Sequence, residues 1–351
     1  MNQANYLNAV WDVPKLSICI ATYNRGPFIA DTLDSILAQF EPGVELVVVD
    51  GASPDNTSEV MAKYVSGHPE IRYYREQENS GVDRDYDKAV GYARGEYCWL
   101  MTDDDLLCPG AVSRVLDAIK DSVDLVVVNS EVRNADFTRV LRARILNFTN
   151  DRAYTATDGE KFFSEVANYL SFIGGVVIKR CVWLERDRLS YFGTLFIHVG
   201  VIFQHPPISK VKVIADPLII IRYGNAMWTS RGFEIWMFKW PQLIWSFRDF
   251  SELSKSVVCA KEPWRQISQL VLYRAIGGYG MNEYSQLLAD RTNGWYCGMA
   301  MTIAMFPAAM VNGFAALYCV LAKRNAKSTL YDITRSRHAT WVSRLLDRLL
   351  G

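Results

Sequence analysis

Asp103, Asp104 and Asp105 stand in succession at the end of the apolar run YCWLMT (97–102). Three carboxylates beside a buried strand repel one another and resist desolvation, so a cation among them is the natural relief. Mg²⁺ or Mn²⁺ with oxygen ligands has the right chemistry. Held by only one or two carboxylates, such an ion keeps positions open for diphosphate oxygens and can neutralise charge on a departing nucleotide diphosphate. The same letters, TDDD ahead of Pro109, also suit a helix N-cap with an acidic first turn. The triplet alone leaves both open.

The elements that would carry it have a regular rhythm. Short Val- and Ile-rich runs predict strands at 16–23, 45–50, 71–76, 97–102 and 124–129, separated by segments of helical period. That alternation predicts a parallel α/β sheet. Phe28, Ile29, Leu33, Ile36, Leu37 and Phe40 recur at three- and four-residue spacing, with Pro27 suited to the opening turn. Ligands of open parallel sheets sit beyond the carboxyl ends of the strands. Here those ends read TYNR, DGASPDNT and TDDD, polar and largely acidic. The chain has no GxGxxG and no GxxxxGK[ST], which argues against a dehydrogenase or a P-loop enzyme.

With 351 residues, half of them hydrophobic and 22% charged, the chain predicts a folded protein with a large core, as one domain or one domain with an appendage. Lysine plus arginine equals aspartate plus glutamate at 38 each, which argues against a general nucleic-acid binder. The balance hides a split, −9 over residues 1–150 and +9 over 151–351. Seven cysteines without a CxxC pair argue against a disulfide framework or zinc site. The first 15 residues lack a basic and then apolar leader, so no secretory signal peptide is expected.

Taken together the strand ends resemble the family 2 glycosyltransferases. LSICIATYNR is similar to their opening strand and nucleotide loop, ELVVVDGASPDNT to the second strand, and ENSGVDRDYDKAVGYARGEYCWLMTDDDLLCPGA to the segment ending in the acidic motif. The resemblance covers roughly residues 15–130 and implies the GT-A fold. It implies that Thr22, Tyr23, Asn24 and Arg25 line the nucleotide and that Asp50 bonds the base. It further implies that Asp103 and Asp104 face ribose and diphosphate, with Asp104 or Asp105 binding Mn²⁺ or Mg²⁺. Two departures matter: GVDRDYDKA replaces the commoner GVSxARNxG, and Thr102 takes the first aspartate's place in DxDD. GVDxDYxKAV resembles a subgroup from bacterial surface-polysaccharide synthesis, which puts Arg84 and Asp87 in the expected donor pocket.

An inverting transferase needs a general base at the acceptor hydroxyl. The family's Glu-Asp pair is missing; SYFGTLFIHVGVIF occupies the expected place, making His198 the candidate base. A hydrogen-bonded histidine in an apolar helix fits the same residue, and Glu185 and Asp187 are weaker alternatives. Arg222, Asn225 and Trp228 follow the predicted strand 211–223, where an arginine could pair with the donor diphosphate and a tryptophan could stack on a sugar. A loop cap and a core anchor would explain them equally.

The predicted transferase domain covers 1–225, with a donor part at about 15–130 and an acceptor part at about 131–225. Residues 226–351 read as helical and aromatic. Residues 298–322 carry no charge, with Trp295 and Tyr296 before them and Lys323, Arg324 and Lys327 after. The length suits crossing or entering a bilayer, and the flanks suit its interface. Pro307 and Asn312 favour a monotopic or re-entrant segment, or a buried helical hairpin, over a simple span. With the basic stretch 323–351 and the amphipathic WVSRLLDRLL (341–350), this predicts peripheral or monotopic attachment at the cytoplasmic face of the inner membrane. The expected substrates are a nucleotide-diphosphate sugar and a polyprenyl-diphosphate-linked glycan, as in O-antigen synthesis. A sugar nucleotidylyltransferase and a non-catalytic membrane adaptor are the rivals.

Overall fold

The Val- and Ile-rich runs form strands enclosed on both faces. In the computed structural model, which describes residues 13–225, 231–322 and 327–350, β1 (Leu16–Thr22), β2 (Val44–Asp50) and β4 (Tyr97–Met101) are buried at every position. Such strands need helices above and below. Strand β1 runs parallel to β2 and β4, and β3 (Ile71–Arg75) runs parallel to β2. Thr22 pairs in register with Asp50 and Asp50 with Arg75, so the loops after three strands open on one edge. Helix α1 (Gly26–Leu37) buries Ile29, Leu33 and Ile36 against this sheet, with α2 (Thr57–Gly67), α3 (Val82–Tyr92) and α4 (Ala111–Ile119) completing its parallel part.

Beyond β4 the sheet departs from the expected all-parallel pattern. After β5 (Leu106–Leu107), β6 (Leu125–Asn134) pairs antiparallel with β9 (Val176–Lys179), itself antiparallel to β4. With β7 (Val140–Arg142) paired to β6, and β8 (Arg152–Thr155) to β10 (Lys210–Tyr223), the strand order is β3-β2-β1-β4-β9-β6-β10-β5. The later strand β9 takes the seat beside β4, and β6 can pair only against it. Strand β9 begins only at Val176 because Ile173–Gly175 form a tight turn ahead of it. A Cβ on Gly175 would lie 2.8 Å from the Tyr169 hydroxyl. Helices α5 (Gly159–Val166), α6 (Arg180–Glu185) and α7 (Ile197–Phe203) flank this half.

The chain divides into two compact units, Met1–Glu131 with Arg144–Ile221, and Val132–Ala143 with Arg222–Gly351. The second joins the ends of β6 and β10, the strand β7 and the C-terminal helices. Phe233, Met237, Trp264, Tyr279 and Tyr284 form one of its cores. Buried Asn312 donates to the Ala275 and Ile333 carbonyls, and Arg139 pairs with Asp347 at 2.8 Å. The uncharged stretch forms helices Gly294–Met305 and Ala308–Ala322, bent by 100° at the break that holds Pro307. Among the described residues no single helix is long and apolar enough to cross a membrane, but this bent pair passes that test together. Lys323, Arg324 and Trp228 lie outside the described residues.

Candidate active site

The loops after β1 and β2 are stitched together by side chains accepting main-chain N–H groups. Asn24, in the left-handed region at φ 58°, donates its amide to the Ser53 hydroxyl at 2.9 Å. The Arg25 amide bonds the Thr57 hydroxyl and the Gly26 amide bonds Asp55, both at 2.9 Å. A Cβ on Gly26 would overlap Asn56 Oδ1 at 2.0 Å, so a larger residue here would push the Asn56 side chain aside. Tyr23 is half-buried and Asn24 exposed, while Thr22 closes β1 at 2% exposure.

Asp50, expected to meet the base, is fully enclosed. Its Oδ1 accepts the Ser53 amide at 2.8 Å and its Oδ2 the Tyr73 hydroxyl at 2.6 Å, so it fixes the loop from inside. Burial and this carboxylate push the Tyr73 phenol well above its ordinary range. Neither Tyr73 nor its bond has a signal in the sequence pattern.

The acidic triplet splits. Arg25 Nε lies 3.4 Å from Asp103 Oδ1 and Nη2 lies 3.5 Å from Asp104 Oδ2. Asp105, expected as a metal ligand, instead accepts the Thr102 hydroxyl at 2.5 Å and is 2% exposed. Asp103 and Asp104 therefore share the Arg25 guanidinium, while the third carboxylate turns back onto Thr102. Burial and the neighbouring Asp104 push Asp103 up to about 7, against the pull of Arg25. Burial and then the field of all three acids also raise the buried Tyr86 phenol, which donates to the Met101 carbonyl at 3.0 Å.

Helix α3 carries the unusual motif, and the structure gives its side chains internal work. Asp83, 4% exposed, accepts the amides of Gly193, Leu195 and Ile197 at 2.8, 2.9 and 3.1 Å. Arg84 lies over the Phe192 ring at 4.6 Å. Asp87 accepts the Trp183 indole N–H at 2.9 Å and pairs with Arg188 at 2.8 Å. Arg84 and Asp87, expected in the donor pocket, thus grip the segment 183–197. Asp85 faces the strand edge instead: it accepts the Ser80 hydroxyl at 2.7 Å, and a Cβ on Gly51 would stand 2.7 Å from it.

His198 is a core residue, which corrects its expected role as base. Its ring is 1% exposed, Nε2–H donates to the Leu170 carbonyl at 2.6 Å, and Nδ1 is buried without a partner. Burial lowers its pKa to about 4. The remaining lone pair is sealed from any acceptor hydroxyl. Arg222, expected on the diphosphate, belongs to the second unit, where it lies over Phe137 at 4.1 Å and donates to the Ala135 carbonyl at 3.1 Å. It is 9% exposed.

Residues 17–180, from β1 to the start of α6, match the family model described as glycosyl transferase family 2. The chain carries a family 2 glycosyltransferase domain. Similarity extends to named enzymes of sugar transfer. The abequosyltransferase RfbV of Salmonella typhimurium is 27% identical over 230 residues, 62% of this chain and 69% of that one. Chondroitin synthase of Escherichia coli is 32% identical over 124 residues, 35% of this chain and 18% of that one. In fold the glycosyltransferase chain is similar to S. aureus TarS 1–349, solved with UDP, at TM-score 0.56 and 16% identity over 96% of this chain and 91% of that one. The same protein was also solved with UDP-GlcNAc. The mixed sheet of this glycosyltransferase therefore has the GT-A architecture, and the enzyme is a transferase of sugars.

Proposed function

We propose that this glycosyltransferase moves a sugar from a nucleoside-diphosphate donor to a lipid-linked glycan, with inversion and with a divalent metal, in bacterial surface-polysaccharide (O-antigen-type) synthesis. The observation that carries the chemistry is the convergence of Asp103 and Asp104 on one guanidinium, beside the stitched loops after β1 and β2. Support for the substrate classes comes from the name of RfbV and the UDP and UDP-GlcNAc held by TarS.

The donor set fits Mn²⁺ or Mg²⁺. Among the described residues no three His, Cys, Asp or Glu side chains form a ready metal cage, but two carboxylates aim at one cationic position. An ion that retains several non-protein ligands needs no more. Asp103 and Asp104 would hold it, and when bound it would offset charge developing on the leaving diphosphate. The Ser53, Thr57 and Asp55 side chains hold the nucleotide loop in shape, and Gly51 keeps the strand edge open beside Asp85. Pre-ordered loops spare the donor the cost of organising them.

Support for a membrane-presented acceptor lies in the second unit, which carries 19 basic and 9 acidic residues, against 19 and 29 in the first. Its bent helix pair exposes Trp295, Met301, Met305, Phe306, Met310, Phe314, Leu317 and Leu321. Exposed apolar residues on uncharged helices in a basic unit suit the interface of an anionic leaflet, as expected at the cytoplasmic face of the inner membrane. The donor assignment is tested by isothermal titration with a panel of nucleoside diphosphates, with and without Mn²⁺. Metal-dependent binding that an Asp103→Ala, Asp104→Ala variant loses is the expected outcome. Equal binding without metal, or in the variant, would overturn the metal assignment.

A further inference from the structure

We propose that Arg25 is a resident counter-ion of the Asp103–Asp104 pair, released to the donor diphosphate on binding, so that cation and nucleotide bind well only together. The inference rests on the metal assignment above and adds the part played by Arg25.

Three observations carry it. The guanidinium spans both carboxylates at 3.4 and 3.5 Å, and all three side chains are only 11–13% exposed. In that setting Arg25 already offsets part of the repulsion between the two acids. These distances also exceed the 2.7–2.9 Å or so of a strong charge-assisted bond, so the fork offsets one of the pair's two negative charges without locking it. The Arg25 main chain is fixed, since its amide bonds Thr57 at 2.9 Å and its carbonyl accepts the Phe28 and Ile29 amides at 2.9 and 3.0 Å. The guanidinium also lies over the Phe28 ring at 5.8 Å, and its transfer to a donor would leave these main-chain bonds in place.

The physical consequence is a linkage. A divalent ion arriving alone meets carboxylates already bridged by a guanidinium, whose positive charge opposes its approach. A diphosphate gives that planar guanidinium a bidentate partner of higher charge, and the two carboxylates are released as oxygen ligands. By reciprocity, whatever the nucleotide gains from the metal the metal gains from the nucleotide. Methionine at position 25 keeps the length and apolar stem of the side chain and removes its charge. It should free the acids for metal in the absence of nucleotide.

The test is the free Mn²⁺ signal in electron paramagnetic resonance, titrated against wild type, Arg25→Met, Arg25→Lys and Asp104→Ala, with Mn²⁺ alone and then with UDP or GDP. Wild type should bind Mn²⁺ weakly alone and more tightly with nucleotide. Arg25→Met should bind Mn²⁺ alone at least about fivefold more tightly than wild type, the low end of site-to-site couplings, and lose most of the nucleotide enhancement. Arg25→Lys should fall between, and a thermal unfolding midpoint close to wild type shows the variants folded. Mn²⁺ affinity in Arg25→Met equal to or below that of wild type, where wild type responds to nucleotide, overturns the role of Arg25 alone. Absence of Mn²⁺ binding in every protein, with and without either nucleotide, overturns the metal assignment as well.

Discussion

The Asp83 carboxylate accepts the main-chain amide of Leu195 at 2.9 Å, joining residues 112 positions apart. Gly193 and Ile197 bond the same carboxylate, and Gly193 and Leu195 both sit at positive φ, 84° and 72°. A loop in that shape needs its alternate amides satisfied, because a left-handed leucine is otherwise unfavourable. Replacing Asp83 with Ala leaves three amides without their acceptor and should cost about 3 kcal/mol of stability. Asp83→Asn, which keeps one acceptor oxygen, should cost less. Urea unfolding reads the first effect. Amide hydrogen exchange at 193, 195 and 197 reads the second, and protection unchanged in Asp83→Ala would refute the clamp.

His198 gives a sharper contrast. A general base replaced by glutamine typically costs at least about a hundredfold in turnover. In His198→Gln the new side-chain amide could still donate to the Leu170 carbonyl, so turnover should stay within about tenfold of wild type, with an unchanged pH profile near neutrality. A larger loss in a variant that melts like wild type would restore His198 as the base.

Attachment to lipid should depend on the exposed face of the helix Ala308–Ala322. Met310 and Phe314 are 52% and 66% exposed and one turn apart. Changing both to Glu should lower binding to phosphatidylcholine–phosphatidylglycerol vesicles by at least about tenfold, since apolar burial and attraction to anionic lipid are lost together. Nucleotide affinity should stay as in wild type. Flotation on sucrose gradients measures this, and equal flotation of wild type and variant would remove the helix pair from the proposed membrane contact.

A pH effect should arise in the second unit. Burial pushes Asp332 from 3.8 up to about 6, although the Tyr223 hydroxyl donates to it at 2.7 Å. The folded state then holds this proton more tightly than the unfolded chain, so the contribution to stability is full below about pH 4 and is lost as pH rises through about 6. Asp332→Asn should remove that component, on the order of 3 kcal/mol between the two limits. Thermal unfolding of both proteins from pH 4 to 7.5 reads it as a converging or diverging pair of curves. Parallel curves would contradict the shift.

Residue order was enough for what local chemistry dictates. Strand runs at 16–23, 45–50 and 97–102 stand within a residue or two of β1, β2 and β4, because continuous burial on both faces selects Val, Ile and Leu at every position. Pro27 opens α1, and the polar letters after the strands mark the edge where Arg25, Asp103 and Asp104 meet. Tertiary structure decided which neighbour each side chain faces. The antiparallel half of the sheet follows from β9 taking the seat beside β4, a pairing between distant segments that no local period encodes. The Asp105 carboxylate turns to Thr102 while its neighbours face Arg25, and Asp83 and Asp87 on α3 point to a loop some hundred residues on. His198 has the residue type of a base, and only the packing around it closes its free nitrogen to solvent. Residue type and spacing fix what a group can do chemically; long-range pairing fixes what it touches, and contact decides which of those chemistries is used.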